Sequence, residues 1–154
     1  MLQSKLPKVG TTIFTVMSQL AMQHKAVNLG QGFPDFEGPA ALREALSKHV
    51  SEGKNQYAPM IGVACLREQI ALKTELLYGR KTNPDTEVTV VSGASEALFV
   101  AIAACVRAGD EVIVLDPCYD SYDPAIALAG GLAVHVPLEA PHFAPDWNRI
   151  KASL

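Results

Sequence analysis

From Pro84 onward, short apolar runs alternate with apolar stretches of helical length, and this alternation constrains the fold more than any other feature of the sequence. Three runs have the length and composition of strands: Glu87–Val91, Glu111–Leu115 and Leu132–Leu138. Helices are predicted between them, at 96–107 and 121–129. Strands that alternate with helices form a mostly parallel sheet covered by helices, so the sequence predicts an α/β fold. The 96–107 helix is apolar on nearly every side, and we expect it to be buried between layers.

The part of the chain before Pro84 is predicted to be mainly helical. An N-terminal arm leads into a short helix in which Phe14, Met17 and Leu20 fall at helical spacing. Two further helices are predicted at about 39–50 and 63–78. The second should bury a stripe of apolar side chains and turn Arg67 toward solvent, together with its other charged residues. The segment 28–36 contains two glycines and a proline and is predicted to be an irregular loop.

The composition indicates an ordinary globular protein and argues against several classes. Of 154 residues, 49% are hydrophobic and 19% are charged, and the formal net charge is −3. This balance gives no electrostatic reason to expect nucleic acid or a membrane surface as a partner. The three cysteines have no CxxC spacing, and no apolar run reaches the roughly 20 residues of a membrane span. We therefore expect a cytoplasmic protein with reduced thiols. The four histidines lack metal-ligand spacing, so no metal site is expected.

The turn Ser92-Gly93-Ala94-Ser95 is the first candidate for a binding site. It follows a predicted strand and opens a predicted helix, where unpaired backbone N–H groups and the positive end of the helix dipole attract anions. Gly93 and Ala94 keep bulky side chains out of the way, and Ser95 adds a hydroxyl donor. The alternative is that Ser95 is an ordinary N-cap and Gly93 only makes the turn, because caps are far commoner than phosphate sites.

Two loops are further candidates. Asp116–Tyr122 follows the second predicted strand, and ligands of open α/β sheets bind beyond the carboxyl ends of the strands. This loop should therefore share an edge of the sheet with the Ser95 turn, and a tyrosine in it could stack on a flat ring. In the 28–36 loop, Gly30 and Gly32 would allow a ligand to approach the backbone. Packing tyrosines and a plain turn are the respective alternatives.

The 28–36 loop, the Ser92–Ser95 turn and the Asp116–Tyr122 loop, in this order along the chain, resemble segments of the class I (fold-type I) aminotransferases that depend on pyridoxal 5′-phosphate (PLP). Within the class, the resemblance is nearest to the bacterial methionine aminotransferases and the kynurenine aminotransferase-like enzymes. It implies the N-terminal part of the fold-type I fold, with an arm and substrate loop at 1–38 and the beginning of the large PLP-binding domain at 39–154. The matching segments are NLGQGFPDF (28–36), NQYAPMIGVACLRE (55–68), SGASEALF (92–99), GDEVIV (109–114) and DPCYDSYDP (116–124).

The resemblance implies roles for eight residues of this chain. PLP would be the cofactor, with its phosphate held by the turn and its ring stacked on an aromatic residue. The enzymes of the family are homodimers with shared sites, so a tyrosine would reach the cofactor of the other subunit. The substrates would be methionine or aromatic amino acids and a 2-oxo acid. The implied residues are Gly93, Ala94 and Ser95 for the phosphate, Tyr119 for the ring, Tyr57 across the dimer, and Gly32, Phe33 and Phe14 for the substrate.

The resemblance implies no catalytic residue within these 154 positions. The family's covalently binding lysine, its acidic partner of the ring nitrogen and its carboxylate-binding arginine belong to segments that this sequence does not contain. We therefore expect a fragment that does not transaminate alone and that is unstable or aggregates. Two alternatives stay open. One is a PLP-dependent β-lyase acting on cysteine conjugates, and the other is a short non-catalytic protein that binds a phosphate ligand or dimerises.

Overall fold

The computed structural model describes residues 3–32 and 34–154, which form six helices and two strands. The described chain has two compact units, Leu20–Val91 on the one hand and the residues up to Gln19 together with Ser92–Leu154 on the other. The division predicted at residue 38 stays a prediction. The elements are α1 Ile13–His24, α2 Ala40–Ser51, α3 Ala64–Tyr78, α4 Ala94–Cys105, β1 Glu111–Asp116, α5 Tyr122–Ala129, β2 Leu132–Pro137 and α6 Trp147–Ala152.

The strands β1 and β2 and the helix α5 between them form the centre of the compact unit that contains Ser92–Leu154. The strands pair in parallel, from Glu111 opposite Leu132 to Asp116 opposite Pro137, and α5 supplies the crossover that parallel pairing requires. Its core consists of Val114 on β1, Val136 on β2, and Ala125 and Ile126 on α5. The α/β fold class is thus confirmed as a mixed structure with a parallel sheet.

The turn from α5 into β2 depends on Gly131. A Cβ atom at this position would lie 2.6 Å from Cγ1 of Val106 and 3.1 Å from Cγ2 of Ile126. Real Cβ atoms essentially never lie 2.6 Å from another heavy atom, so any other residue would force Val106 or the turn to shift and would crowd Ile126 of the crossover helix. The glycine therefore allows the crossover to close tightly.

Two expectations about the sheet are wrong. The segment 87–91 forms no strand: within the described residues, its one backbone hydrogen bond to a segment distant in sequence is from the Val90 N–H to the Ile61 carbonyl, at 3.0 Å. A strand exists through a ladder of such bonds, and one bond does not make a ladder. The helix α4 is also not buried, since Phe99 and Val100 are 45% and 47% exposed. A two-stranded sheet is too narrow to cover a helix that is apolar all round.

In the Leu20–Val91 unit, α3 is anchored by a buried arginine. Arg67, predicted to face solvent, is only 7% exposed and donates from Nε to the Gly62 carbonyl at 3.2 Å. Its Nη1 donates to the Pro84 carbonyl and to Oδ1 of Asp85, the latter at 2.9 Å. The predicted apolar stripe is correspondingly open, with Leu66 43% exposed. Burial of Arg67 is tolerated because backbone carbonyls accept its hydrogens.

The helices predicted with bounds lie within two residues of those bounds, whereas α6 was not predicted. α2, α3 and α5 begin one residue after their predicted starts, whereas α4 begins two residues earlier than predicted. Among the described residues, no helix has both the length and the apolar character that crossing a membrane would require.

Candidate functional site

Helix α4 begins at an N-cap glycine rather than at a serine. Gly93 has φ +92° and ψ 169°, a backbone conformation that side-chain-bearing residues rarely adopt, although a Cβ atom there would meet nothing within 4 Å. The first paired N–H of the helix is that of Ala97, which donates to the Gly93 carbonyl at 3.1 Å. The N–H groups of Ala94 and Ser95 are therefore left without a backbone acceptor in the described part of the chain. Such groups carry the positive end of the helix dipole.

Ser95 is the second residue of α4 and does not cap it. No side-chain hydrogen bond caps this helix, so the interpretation of Ser95 as an ordinary N-cap is wrong. The first turn is instead closed by Glu96, whose carboxylate accepts the N–H of Ser92. Glu96 thus accepts a hydrogen bond from a residue that precedes the helix, and not from an N–H group of the first helical turn. The exposed hydroxyl of Ser95 and the N–H groups beside it remain available to a ligand.

Ser95 lies in the wall of a cleft of about 290 Å³ in its own unit. Phe99 of α4, Asp120 and Ser121 of the loop after β1, and residues of α5 line the same cleft. Thr12, at the start of the arm's helix, closes one side. The start of α4 and the loop at the carboxyl end of β1 thus share one edge of the fold, as the α/β pattern predicts.

Tyr119 belongs to the same loop and is part of an aromatic cluster. Its ring centroid lies 6.4 Å from that of Phe14, at an interplanar angle of 44°, and 6.0 Å from that of Tyr122, in an edge-on arrangement at 72°. Tyr119 is 41% exposed and Phe14 is 36% exposed. The two rings therefore hold each other in place while leaving area for a third flat group.

A polar cluster that the sequence analysis missed lies beside this loop. Nδ1 of His135 is 2.9 Å from Oδ2 of Asp116, and its Nε2 is 3.4 Å from Oδ1 of Asp123. The hydrogen bond between the first two residues raises the pKa of His135 and lowers the pKa of Asp116. Burial, followed by a hydrogen bond to Asp116, raises the pKa of Cys118. Sequence spacing gave no signal for this cluster, because strand pairing brings residues 116 and 135 together.

Two residues implied by the resemblance, Gly32 and Tyr57, belong to the Leu20–Val91 unit, and both are exposed. Phe33 lies outside the described residues. The described part of the 28–36 loop is irregular, as predicted, with the Gly30 N–H donating to Oδ1 of Asn28 at 3.0 Å. The roles of Gly32, Phe33 and Tyr57 stay predictions.

Comparisons with known proteins agree with this fold. The profile of the family described as aminotransferase class I and II matches residues 24–154. Methionine aminotransferase of Escherichia coli (strain K12) is 60% identical over 152 residues, which are 99% of this chain and 39% of the relative. Kynurenine–oxoglutarate transaminase 3 of Homo sapiens is 34% identical over 146 residues, 94% of this chain and 32% of the relative.

Solved structures give the same result. A crystal structure that identifies a methionine aminotransferase function in an E. coli protein matches all of this chain, with a TM-score of 0.95 and 60% identity, over 40% of its own length. N-succinyldiaminopimelate aminotransferase from Mycobacterium tuberculosis matches with a TM-score of 0.91 and 41% identity, over all of this chain and 41% of its own. The chain thus spans between about a third and two fifths of the length of these relatives.

Proposed function

Because the chain belongs to the class I and II aminotransferase family, we propose that it forms the part of a PLP-dependent amino-acid aminotransferase that holds the phosphate and the ring of the cofactor. The observation that carries this proposal is the start of α4. There, the N–H groups of the first turn have no side-chain cap, and Ser95 lines a cleft together with Asp120 and Ser121, the two residues that follow Tyr119.

The residues present fit a phosphorylated flat ring. The N–H groups of Ala94 and Ser95 and the Ser95 hydroxyl are donors, and a phosphate offers only acceptors at neutral pH. Gly93 leaves open space where a side chain would stand. Tyr119 offers an exposed ring for stacking. Asp120 is the one carboxylate in the cleft wall among the described residues, so the donors at α4 outnumber it.

Each residue of the site has one task in this proposal. When bound, PLP supplies an electron-withdrawing ring that makes the transfer of an amino group possible. Ala94 and Ser95 hold the phosphate, and Tyr119 fixes the plane of the ring. Phe14, which already packs against Tyr119, contributes to the pocket for the substrate side chain together with Phe33, and the Gly32 backbone binds the substrate carboxylate. Tyr57 reaches the phosphate bound to the other subunit of a homodimer.

The proposed substrates are methionine or an aromatic amino acid as donor and a 2-oxo acid as acceptor, in the cytoplasm. Identity to the E. coli methionine aminotransferase supports the first donor, and the aromatic rings of Phe14 and Tyr119 suit an apolar side chain. No catalytic residue is assigned within these 154 positions.

A chimera tests this proposal. Residues 1–154 replace the matching segment of the E. coli methionine aminotransferase, to which they are 60% identical. We expect a dimer that binds PLP and converts methionine and a 2-oxo acid within about tenfold of the kcat/KM of the parent enzyme, a cost of about 1.4 kcal/mol. The unmodified parent is the control. A chimera with the parent's size and circular dichroism that neither binds PLP nor transaminates any amino acid would overturn the proposal.

A further inference from the structure

Three different ligand-type atoms converge beside the Tyr119 loop. A carboxylate oxygen of Asp116, Sγ of Cys118 and an imidazole nitrogen of His135 all lie within 4.8 Å of one another. Asp116 ends β1, Cys118 follows two residues later, and His135 stands on β2. The set therefore combines one oxygen, one sulfur and one nitrogen.

Strand pairing produces this convergence. In the parallel register, Val114 is opposite His135 and Asp116 is opposite Pro137. Because side chains alternate along a strand, His135 and Asp116 project from the same face of the sheet. Cys118, just beyond the end of β1, then brings its sulfur within 4.8 Å of the ligand atoms of Asp116 and His135. The three residues therefore meet because the two strands pair, and not because they are close in sequence.

We propose that Asp116, Cys118 and His135 form a binding site for a divalent metal ion of borderline softness, with Zn²⁺ as the best match. Zn²⁺ takes carboxylate oxygen, thiolate sulfur and imidazole nitrogen in four-coordinate geometry, whereas Mg²⁺ and Ca²⁺ select oxygen alone. Three protein ligands leave the fourth position to a water molecule or a small ligand.

Asp123 contacts His135 on the side of the imidazole ring that faces away from Asp116. Its Oδ1 lies 3.4 Å from Nε2 of His135, the nitrogen opposite the one that faces Asp116. Metal-binding histidines usually donate their second N–H to a carboxylate, which fixes the ring and makes the ligating nitrogen more basic. Asp123 stands in the first turn of α5, so the crossover helix positions it. It is a positioning residue and not a ligand.

Metal binding releases protons from this cluster, because a thiol and a protonated imidazole must each lose a hydrogen to become ligands. Without the ion, Nδ1 of His135 lies 2.9 Å from Oδ2 of Asp116. On binding, the released hydrogens leave as solvated protons, and the ion holds the three groups together. The positive charge of the ion also reverses the effect that the carboxylate has on the thiol.

An ion in this position would fix the loop that carries Tyr119. Cys118 precedes Tyr119 directly, and its coordination would tie that loop to β2. The metal site itself does not depend on the cofactor proposal, because all of its ligands and its positioning carboxylate lie in one β1–α5–β2 unit. Its test accordingly uses no cofactor.

The test is a Co²⁺ titration of the untagged chimera, prepared without PLP so that residues 1–154 are part of a complete enzyme, followed by displacement with Zn²⁺. Cobalt that binds a thiolate gives a charge-transfer band in the near ultraviolet, so the band reports a cysteine ligand directly. The chain offers a matched control, because Cys65 and Cys105 are exposed thiols outside the cluster. We expect the band at one equivalent of Co²⁺, its retention in the C65S/C105S double variant and its loss when Zn²⁺ is added.

Variants of the cluster complete the design. We expect Cys118→Ser to abolish the band and His135→Ala to abolish stoichiometric binding. Asp123→Asn should keep the band and weaken binding by about 10–100-fold, as is typical of outer carboxylates. Far-ultraviolet circular dichroism of each variant of the chimera shows whether a loss of binding is a loss of fold. Absence of a band in a chimera that keeps the circular dichroism of the parent enzyme, or a band that survives Cys118→Ser, would overturn the proposal.

Discussion

The rings of Phe14 and Tyr119 lie 6.4 Å apart between centroids and are tilted by 44° to each other. Phe14 stands on α1 and Tyr119 on the loop after β1, so the contact joins two segments that are more than 100 residues apart in sequence. Both rings keep more than a third of their surface exposed. A contact of this kind orients the tyrosine ring without hiding it.

The Tyr119 ring should contribute to cofactor affinity through its face and not through its hydroxyl. In the chimera, Tyr119→Phe should bind PLP like the parent, whereas Tyr119→Ala should bind it more weakly by about 0.5–1.5 kcal/mol, the range for aromatic pairs. Equilibrium dialysis with absorbance detection measures both. If Tyr119→Phe weakens binding as much as Tyr119→Ala, the stacking role is wrong.

Arg67 should stabilise the Leu20–Val91 unit through the carbonyl groups that it satisfies. Arg67→Met keeps an aliphatic stem of similar length but leaves the Gly62 and Pro84 carbonyls without their donor, which should cost about 1–3 kcal/mol of unfolding free energy. Urea unfolding measures this loss of unfolding free energy. The control is Arg149→Met, which breaks an exposed pair with Glu139 and should cost less than about 1 kcal/mol. Equal effects of the two variants would contradict this assignment.

Glu87 should titrate below its ordinary pKa of 4.5 in the folded chain. Its Oε2 accepts the Asn83 N–H at 2.7 Å, and Arg80 donates to Oε1 at 3.2 Å; the first of these bonds is the larger cause. Because the folded-state pKa is the lower one, this carboxylate favours the folded state above its unfolded-state pKa. That contribution is lost as the pH falls through the folded-state value.

Carboxyl-carbon NMR titration checks the prediction for Glu87, with Glu87→Gln to assign the resonance and the urea-unfolded chain as the reference. Arg80→Met should return the pKa only part of the way, since the Asn83 N–H remains. If the Glu87 pKa returned fully to its ordinary value in Arg80→Met, the arginine and not the backbone donor would be the cause of the lowered pKa.

Local signals predicted the helices and the central strand pair well. Helical spacing and apolar runs are properties of neighbouring residues, and α2, α3, α5, β1 and β2 follow from them within a residue or so. The segment 87–91 was wrongly assigned because a strand needs a partner, and partner choice is not local. Arg67 was wrongly placed for a similar reason, since its acceptor at Pro84 lies 17 residues away.

The candidate site was predictable only in part. The turn at Ser92–Ser95 and the loop with Tyr119 were identified from their position after apolar runs, and the structure brings Ser95 and that loop to one cleft. The exact cap was missed, because the positive φ of Gly93 starts α4 two residues early and changes Ser95 from a cap into a free donor. The cluster of Asp116, Cys118 and His135 was missed entirely, because only the register of β1 and β2 brings these residues together.

The phosphate-binding role of the α4 terminus is the central claim, and PLP and pyridoxal binding to the chimera and its Ser95→Ala variant test it most directly. A hydrogen bond to a charged group contributes about 1.5–3 kcal/mol, so Ser95→Ala should weaken PLP binding roughly ten- to hundredfold. Pyridoxal, which lacks the phosphate, should bind both proteins equally, and Ser153→Ala should change neither affinity. Equal loss of PLP and pyridoxal affinity in Ser95→Ala, or no loss of PLP affinity at all, would contradict the assignment.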